Sequence, residues 1–191
     1  MEIYLIRHTK VAVPSNICYG QTDVSLANSY QKEIKQVLSN LGSTENFTCY
    51  SSPLERCRVL ANSISTSPIL EKRLMEMNFG DWENKSWDEI GKTEFDQWHS
   101  DFVKNHVPNG ESYFELYTRS ISFLNEILLE NKNSILVTHG GVIRAILAHT
   151  LGLPLENSFR LKIEYGSISK IQVTNQISQV EFVNISADYH R

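Results

Sequence analysis

Two short apolar runs, each closed by a histidine, constrain this chain most. Glu2–Arg7 leads into His8, and Ser134–Thr138 leads into His139. A strand with few polar residues on either face is stable only when both faces are covered, the situation of central strands in a parallel sheet. Between and around these runs lie segments of helical period. The expected fold is therefore α/β, a three-layer sandwich whose mostly parallel central sheet carries helices on both faces. Parallel strands share one carboxyl edge, and ligands bind just beyond it, so His8 and His139 are expected as neighbours there.

The remaining segments fit that pattern. From Leu26, apolar residues recur at Tyr30, Ile34, Val37, Leu38 and Leu41 until Gly42, which predicts a helix and its stop. Phe47–Tyr50 predicts a strand, and Ser52-Pro53-Leu54-Glu55 carries the signals of a helix start, with Ser52, Pro53 and Glu55 read as caps of a helix running to about Ile64. An edge strand is expected over Ile69 to Leu74, then a loop at Asn78–Trp82. Ser86-x-x-Glu89 reads as a capping box for a helix from Trp87 to Phe102. After Pro108-Asn109-Gly110, Ser112-x-x-Glu115 opens an amphipathic helix with Phe114, Tyr117, Ile121, Leu124 and Leu128 on one face. Val142 to Leu151 predicts a helix stopped by Gly152 and Pro154, and Ser167–Val173 with Ile177–Ile185 predicts a closing strand pair. No linker, repeat or low-complexity stretch interrupts the 191 residues, so a single domain over 1–191 is expected.

Composition removes several functional classes. Eighteen basic against 22 acidic residues give a net charge of -4, without the basic excess that nucleic-acid binding needs. No apolar stretch approaches the roughly 20 residues of a membrane span, and the first residues read as a strand and not as a leader; the expected location is cytoplasmic. Cys18, Cys49 and Cys57 form no Cys-x-x-Cys pair, which suits a reducing compartment. Without a cysteine cluster, His-x-x-x-His or Asp-x-Asp, no metal is expected. Nothing in the sequence specifies an oligomeric state.

The polar residues after the strands carry the chemistry. Arg7 adjoins His8, Arg56 lies in the first turn of a helix, and Gly140 and Gly141 open another, where bare backbone lets an anion approach the amides. Arg56 occurs beside the apolar stripe Cys57, Leu60, Ala61 and Ile64, so it is either a solvated surface group or an anion ligand. Glu76, between two methionines, reads alone as a loop charge, and an isolated His8 would read as structural. His99, His106, His149 and His190 have no matched partners and receive no role. Taken together, two arginines, two histidines and two helix starts converge on one target, a dianion such as a phosphoryl group, whose oxygens guanidinium forks match in pairs.

Arg7-His8-Thr9, Ser51-Ser52-Pro53-Leu54-x-Arg56, Glu76 before Phe79-Gly80-x-Trp82-Glu83, Gly110-Glu111-Ser112 and Thr138-His139-Gly140-Gly141 together resemble the histidine phosphatase superfamily, which includes the cofactor-dependent phosphoglycerate mutases. The resemblance spans about Glu2 to Leu151. Thr9 stands where the family most often has Gly, and this, with Ile17-Cys18-Tyr19-Gly20-Gln21-Thr22-Asp23-Val24, is most similar to α-ribazole phosphatases of cobalamin biosynthesis.

The resemblance implies a phosphatase acting through a phosphohistidine. His8 would attack phosphorus. Arg7, Arg56 and His139 would hold the equatorial oxygens, and Glu76 would protonate the leaving alkoxide and then take a proton from water. Asn16, Tyr19, Gly20 and Gly140 would contact the substrate, with Glu83 and Glu111 as further carboxylates near the site. No cofactor is implied, and the partner is a small phosphate ester. The short stretch between Trp82 and Pro108 leaves little chain to close the site, which favours hydrolysis over a mutase's return of the phosphoryl group. A non-catalytic module that binds a phosphorylated partner is the rival from another class. Aromatic residues at Trp87, Phe95, Trp98 and Phe102 divide between helix core and pocket rim, where an exposed ring would stack on a flat base such as that of α-ribazole 5′-phosphate.

Overall fold

The computed structural model describes residues 1–186; His190 lies outside them. The chain forms β1 (Glu2–Arg7), α1 (Tyr30–Leu41), β2 (Thr48–Ser51), α2 (Glu55–Ile64), β3 (Ile69–Leu70), α3 (Lys92–His99), α4 (Tyr113–Glu130), β4 (Ser134–Thr138), α5 (Gly140–Leu151), β5 (Ile168–Thr174) and β6 (Ile177–Ile185), with four short 3₁₀ turns. The strands make one sheet in the order β3-β2-β4-β1-β5-β6. β3, β2, β4 and β1 run parallel, β5 pairs antiparallel with β1, and β6 antiparallel with β5.

Alternation along the two central strands divides the core. Ile3 and Leu5 of β1 and Leu136 of β4 face a cluster built with α4 and α5. Ile6 of β1 and Ile135 and Val137 of β4 face a second cluster with α1 and α2. The result is the expected three layers, since side chains on a strand point alternately to opposite faces. β4 is buried at all five positions, as a strand covered on both sides must be.

Local boundaries differ from expectation where side chains redirect the backbone. The strand over Ile69 to Leu74 ends at Leu70, because Glu71 accepts the Arg73 amide and turns the chain into a 3₁₀ turn. The capping box at Ser86 exists but closes only the turn Trp87–Glu89; Ile90 is extended, and α3 starts afresh after Gly91 and stops at His99 instead of Phe102. α1 begins at Tyr30, not Leu26. α4 buries Tyr113, Leu116, Ser120, Ile121, Phe123, Leu124 and Ile127, while Phe114 is exposed, because the helix is turned to pack on α5 and on the turn before Met75. Gly42 and Gly152 end α1 and α5 at positive φ, where L side chains are strained.

Candidate active site

The sheet's carboxyl edge brings the chemistry together. Arg7 is paired with Thr138 in the β1–β4 register, and the His8 amide donates to the Thr138 carbonyl at 3.0 Å. The next residues on the two strands are therefore side by side, with the His8 and His139 rings edge to face at 5.1 Å between centroids. His8 Nδ1 lies 2.8 Å from the Thr9 carbonyl oxygen. A carbonyl only accepts, so the proton belongs on Nδ1, and Nε2 is left with its lone pair free. Burial, then the Arg56 and Arg7 guanidinium groups, holds the His8 pKa well below the ordinary histidine value. His8 is thus a neutral nitrogen base at neutral pH.

The two arginines are positioned by carbonyls and left with a donor to spare. Arg56 is fully buried, and its two terminal nitrogens donate to Thr22 O and Gly20 O. Arg7 Nη1 donates to Ile163 O at 2.7 Å, and its guanidinium lies 3.8 Å over the Tyr165 ring. Arg7 Nε and Arg56 Nε are both buried with no partner in the protein. Buried donors are rarely left so, because each unmet one costs about 1–3 kcal/mol.

Glu76 is the carboxylate at this cavity. Its Oε1 accepts the Met77 amide at 3.0 Å and its Oε2 the Gly141 amide at 3.1 Å. A Cβ on Gly141 would come within 2.3 Å of Glu76 Oε1, so only glycine lets the acid lie on the start of α5. Arg119 fixes the strand of chain beneath it, donating to the carbonyls of Arg73, Met75 and Glu76 while pairing with Glu111 at 2.8 Å. Glu111 also accepts the Asn78 amide, and Glu83 accepts the amides of Gln21, Thr22 and Phe79. Glu83 is spent on loop backbone, and Glu111 on the Arg119 guanidinium and one loop amide.

These groups open on a cavity of about 250 Å³. Its charged lining is Arg7, Arg56, Arg144 and Glu76; its apolar lining includes Phe79, Trp87 and Phe159. Among the described residues, no three His, Cys, Asp or Glu side chains are placed to hold a metal ion, and no helix is long and apolar enough to cross a membrane.

Comparison with known proteins gives this arrangement its family. Residues 3–186 match the model of the histidine phosphatase superfamily, branch 1. The chain belongs to that superfamily. Among curated relatives, it is 29% identical to "Putative phosphoserine phosphatase 2" of Hydrogenobacter thermophilus, over 96% of this chain and 95% of that protein. It is 28% identical to "Probable phosphoglycerate mutase GpmB" of Erwinia tasmaniensis, over 90% of this chain and 84% of the relative. The crystal structure of the α-ribazole phosphatase from Shigella flexneri superposes with a TM-score of 0.88 at 22% identity, covering 97% of this chain and 96% of the other, which shows the shared fold.

Several expected site residues of this histidine phosphatase sit elsewhere than the sequence suggested. Asn16 is exposed, and its carbonyl accepts the Trp87 amide. Gly20 is buried where any side chain would strike the Met77 carbonyl, and it acts through its own carbonyl on Arg56. Gly140 lies between Arg144 and Arg7, beneath the cavity surface, while its neighbour Gly141 lines it. His139 is fully buried behind His8, its Nε2 hydrogen-bonded to Ser52 Oγ at 2.8 Å. Ser52 is therefore not the cap of α2; Leu54 holds that position. Each of the two helix starts gives one amide to a carboxylate of the protein, Glu55 N to Asp23 and Gly141 N to Glu76. Tyr19 does line the cavity, its hydroxyl bonded to that of Tyr165 at 2.7 Å. Sequence reasoning missed Arg144 and Tyr165. Arg144 had a signal, a lone charge in the apolar run Val142, Ile143, Ala145, Ile146, the same anomaly that singled out Arg56; Tyr165, in a loop before an antiparallel strand, had none.

Proposed function

We propose that this enzyme hydrolyses phosphate monoesters through a phosphoryl group carried on His8 Nε2. The observation that carries the reading is the pair of orphaned donors, Arg7 Nε and Arg56 Nε, beside a neutral histidine whose free nitrogen opens on the cavity. In the first step the Nε2 lone pair forms a bond to phosphorus as the bond to the ester oxygen breaks, and the arginine donors meet the oxygens on which charge gathers. His139, held neutral by burial and by the Arg56 charge, turns its one N–H to a third oxygen. Glu76, protonated, gives its proton to the departing alkoxide. In the second step it takes a proton from water, which attacks phosphorus and frees inorganic phosphate and His8.

Two kinds of alcohol suit the walls. The rings of Phe79, Trp87 and Phe159 suit a flat base. With the resemblance of the N-terminal segment, this supports α-ribazole 5′-phosphate, and with it a place in cobalamin biosynthesis. Arg144, whose guanidinium lies over the Phe159 ring, suits an acidic alcohol, in keeping with the names of the Hydrogenobacter and Erwinia relatives. The mechanism is tested with para-nitrophenyl phosphate and an alkyl phosphate. Glu76→Gln is expected to slow the alkyl ester at least tenfold more than the aryl ester, because only a poor leaving group needs the proton. Equal losses on both would move the acid to another group. Faster interconversion of 3- and 2-phosphoglycerate than release of phosphate would make the enzyme a mutase.

A further inference from the structure

Arg144 has no place in the phosphoryl chemistry above, yet it lines the same cavity. It projects from α5 with its Nε bound to the Leu161 carbonyl at 3.0 Å and its guanidinium 5.2 Å over the Phe159 ring. No ion pair holds it among the described residues. A Cβ on Gly140 would lie 3.0 Å from Arg144 Nη1 and 3.5 Å from Arg7 Cζ, so the two guanidinium groups flank one backbone position. Like charges this close repel, and a half-buried cation without a counter-ion is costly unless a ligand supplies the charge. The balance of the cavity points the same way. Three guanidinium groups face one carboxylate, Glu76, whose two oxygens are taken by the Met77 and Gly141 amides.

We propose that Arg144 is the specificity-determining residue of this cavity, binding a carboxylate on the alcohol part of the substrate. The substrate class is the phosphate ester of a small hydroxy acid, with the carboxylate two or three bonds from the ester oxygen and within reach of Arg144 while Arg7 holds the phosphoryl group. This rests on the phosphohistidine reading and narrows it, placing such acids ahead of α-ribazole 5′-phosphate, whose alcohol bears no negative charge. Phe159, beneath the guanidinium and exposed to 54%, stands at the mouth and leaves room for the short acid to enter.

The test uses two esters that differ only in the group in question, 3-phosphoglycerate and glycerol 3-phosphate. Wild type is expected to prefer the acid, and Arg144→Gln to lower the kcat/KM ratio of acid to alcohol by about tenfold or more, the worth of a charged hydrogen bond. Arg144→Lys, which keeps the charge but not the fork, is expected to restore part of the ratio. An unchanged ratio in Arg144→Gln, or equal losses on both esters, overturns the proposal and makes Arg144 a phosphoryl clamp or a brace for Leu161. Calorimetric binding of both esters to His8→Ala, with and without Arg144→Gln, gives the same ratio without turnover. Failure of the phosphohistidine reading shows separately, as turnover that survives His8→Ala.

Discussion

The floor and the wall of the cavity are built in different ways. The floor hangs from the sheet: His8 and His139 follow strands whose register is fixed by five consecutive backbone pairs, Ile3 with Ser134 through Arg7 with Thr138. The wall, from Glu71 to Glu83, has no strand partner after Leu70; isolated backbone bonds reach it at Glu71, Asn78 and Asp81, and between them it is braced by side chains, Arg119 on three carbonyls and Glu83 on three amides. Backbone pairing survives a change of side chain, and a side-chain brace does not. Substitutions on the floor should therefore remove chemistry and leave the fold, and those on the wall should cost both.

The sharpest test of that contrast is on the floor. His8→Ala is expected to lower turnover at least about a thousandfold, because the nucleophile has no substitute. Its Tm should move by no more than about 4 °C, the shift expected for about 1 kcal/mol in a chain of this size. A large fall in Tm would mean that the histidine also braces the floor. Gly141→Ala acts where floor meets wall. Its Cβ would displace the Glu76 carboxylate, and turnover of alkyl phosphates is expected to fall about a hundredfold, the usual share of a general acid, with a smaller loss on aryl esters.

On the wall, Arg119→Met leaves Glu111 without its cation and the Met75 carbonyl unmet, while the carbonyls of Glu76 and Arg73 keep only Gln21 Nε2 and a long bond from Ser120 Oγ. A loss of about 2–3 kcal/mol in urea unfolding is expected, together with weaker activity on every ester. Unaltered stability would show that the wall is held by something else. The smallest effect is a slope. Both imidazoles are held neutral in the folded protein by burial first and then by Arg56, below the ordinary value of 6.5. As pH falls below 6.5 the unfolded chain takes up protons that the folded one refuses, so this stability is present above 6.5 and is lost toward acid. His8→Gln removes one of the two groups and should flatten the slope of stability by about 0.7 kcal/mol per pH unit at pH 6.5, rising toward about 1.4 at pH 5.

The same division explains what could be read from the sequence. Apolar runs and the residues closing them gave β1 and β4 with His8 and His139, because burial on both faces leaves a mark in composition. The capping boxes at Ser86 and Ser112 were legible too, since each is a local pattern. The wall was not. That Glu83 and Glu111 serve loop backbone, while Glu76 faces the cavity, follows from contacts between residues far apart in the chain. Ser52 carried a true helix-start pattern, yet its hydroxyl went to His139, 87 positions away, and Leu54 took the cap. Asn16 and Gly140 were placed by motif alone, and the fold keeps both off the cavity surface.

The central claim is that phosphorus is carried on His8 Nε2. Rapid acid-free quenching of the enzyme during turnover of a phosphate ester, followed by peptide mass spectrometry and ³¹P NMR, tests it directly. The account predicts one acid-labile phosphate, on the peptide containing His8, at Nε2, because Nδ1 is occupied by the Thr9 carbonyl. Phosphate on another residue, on Nδ1, or turnover with no covalent phosphate and full activity in His8→Ala, would contradict it.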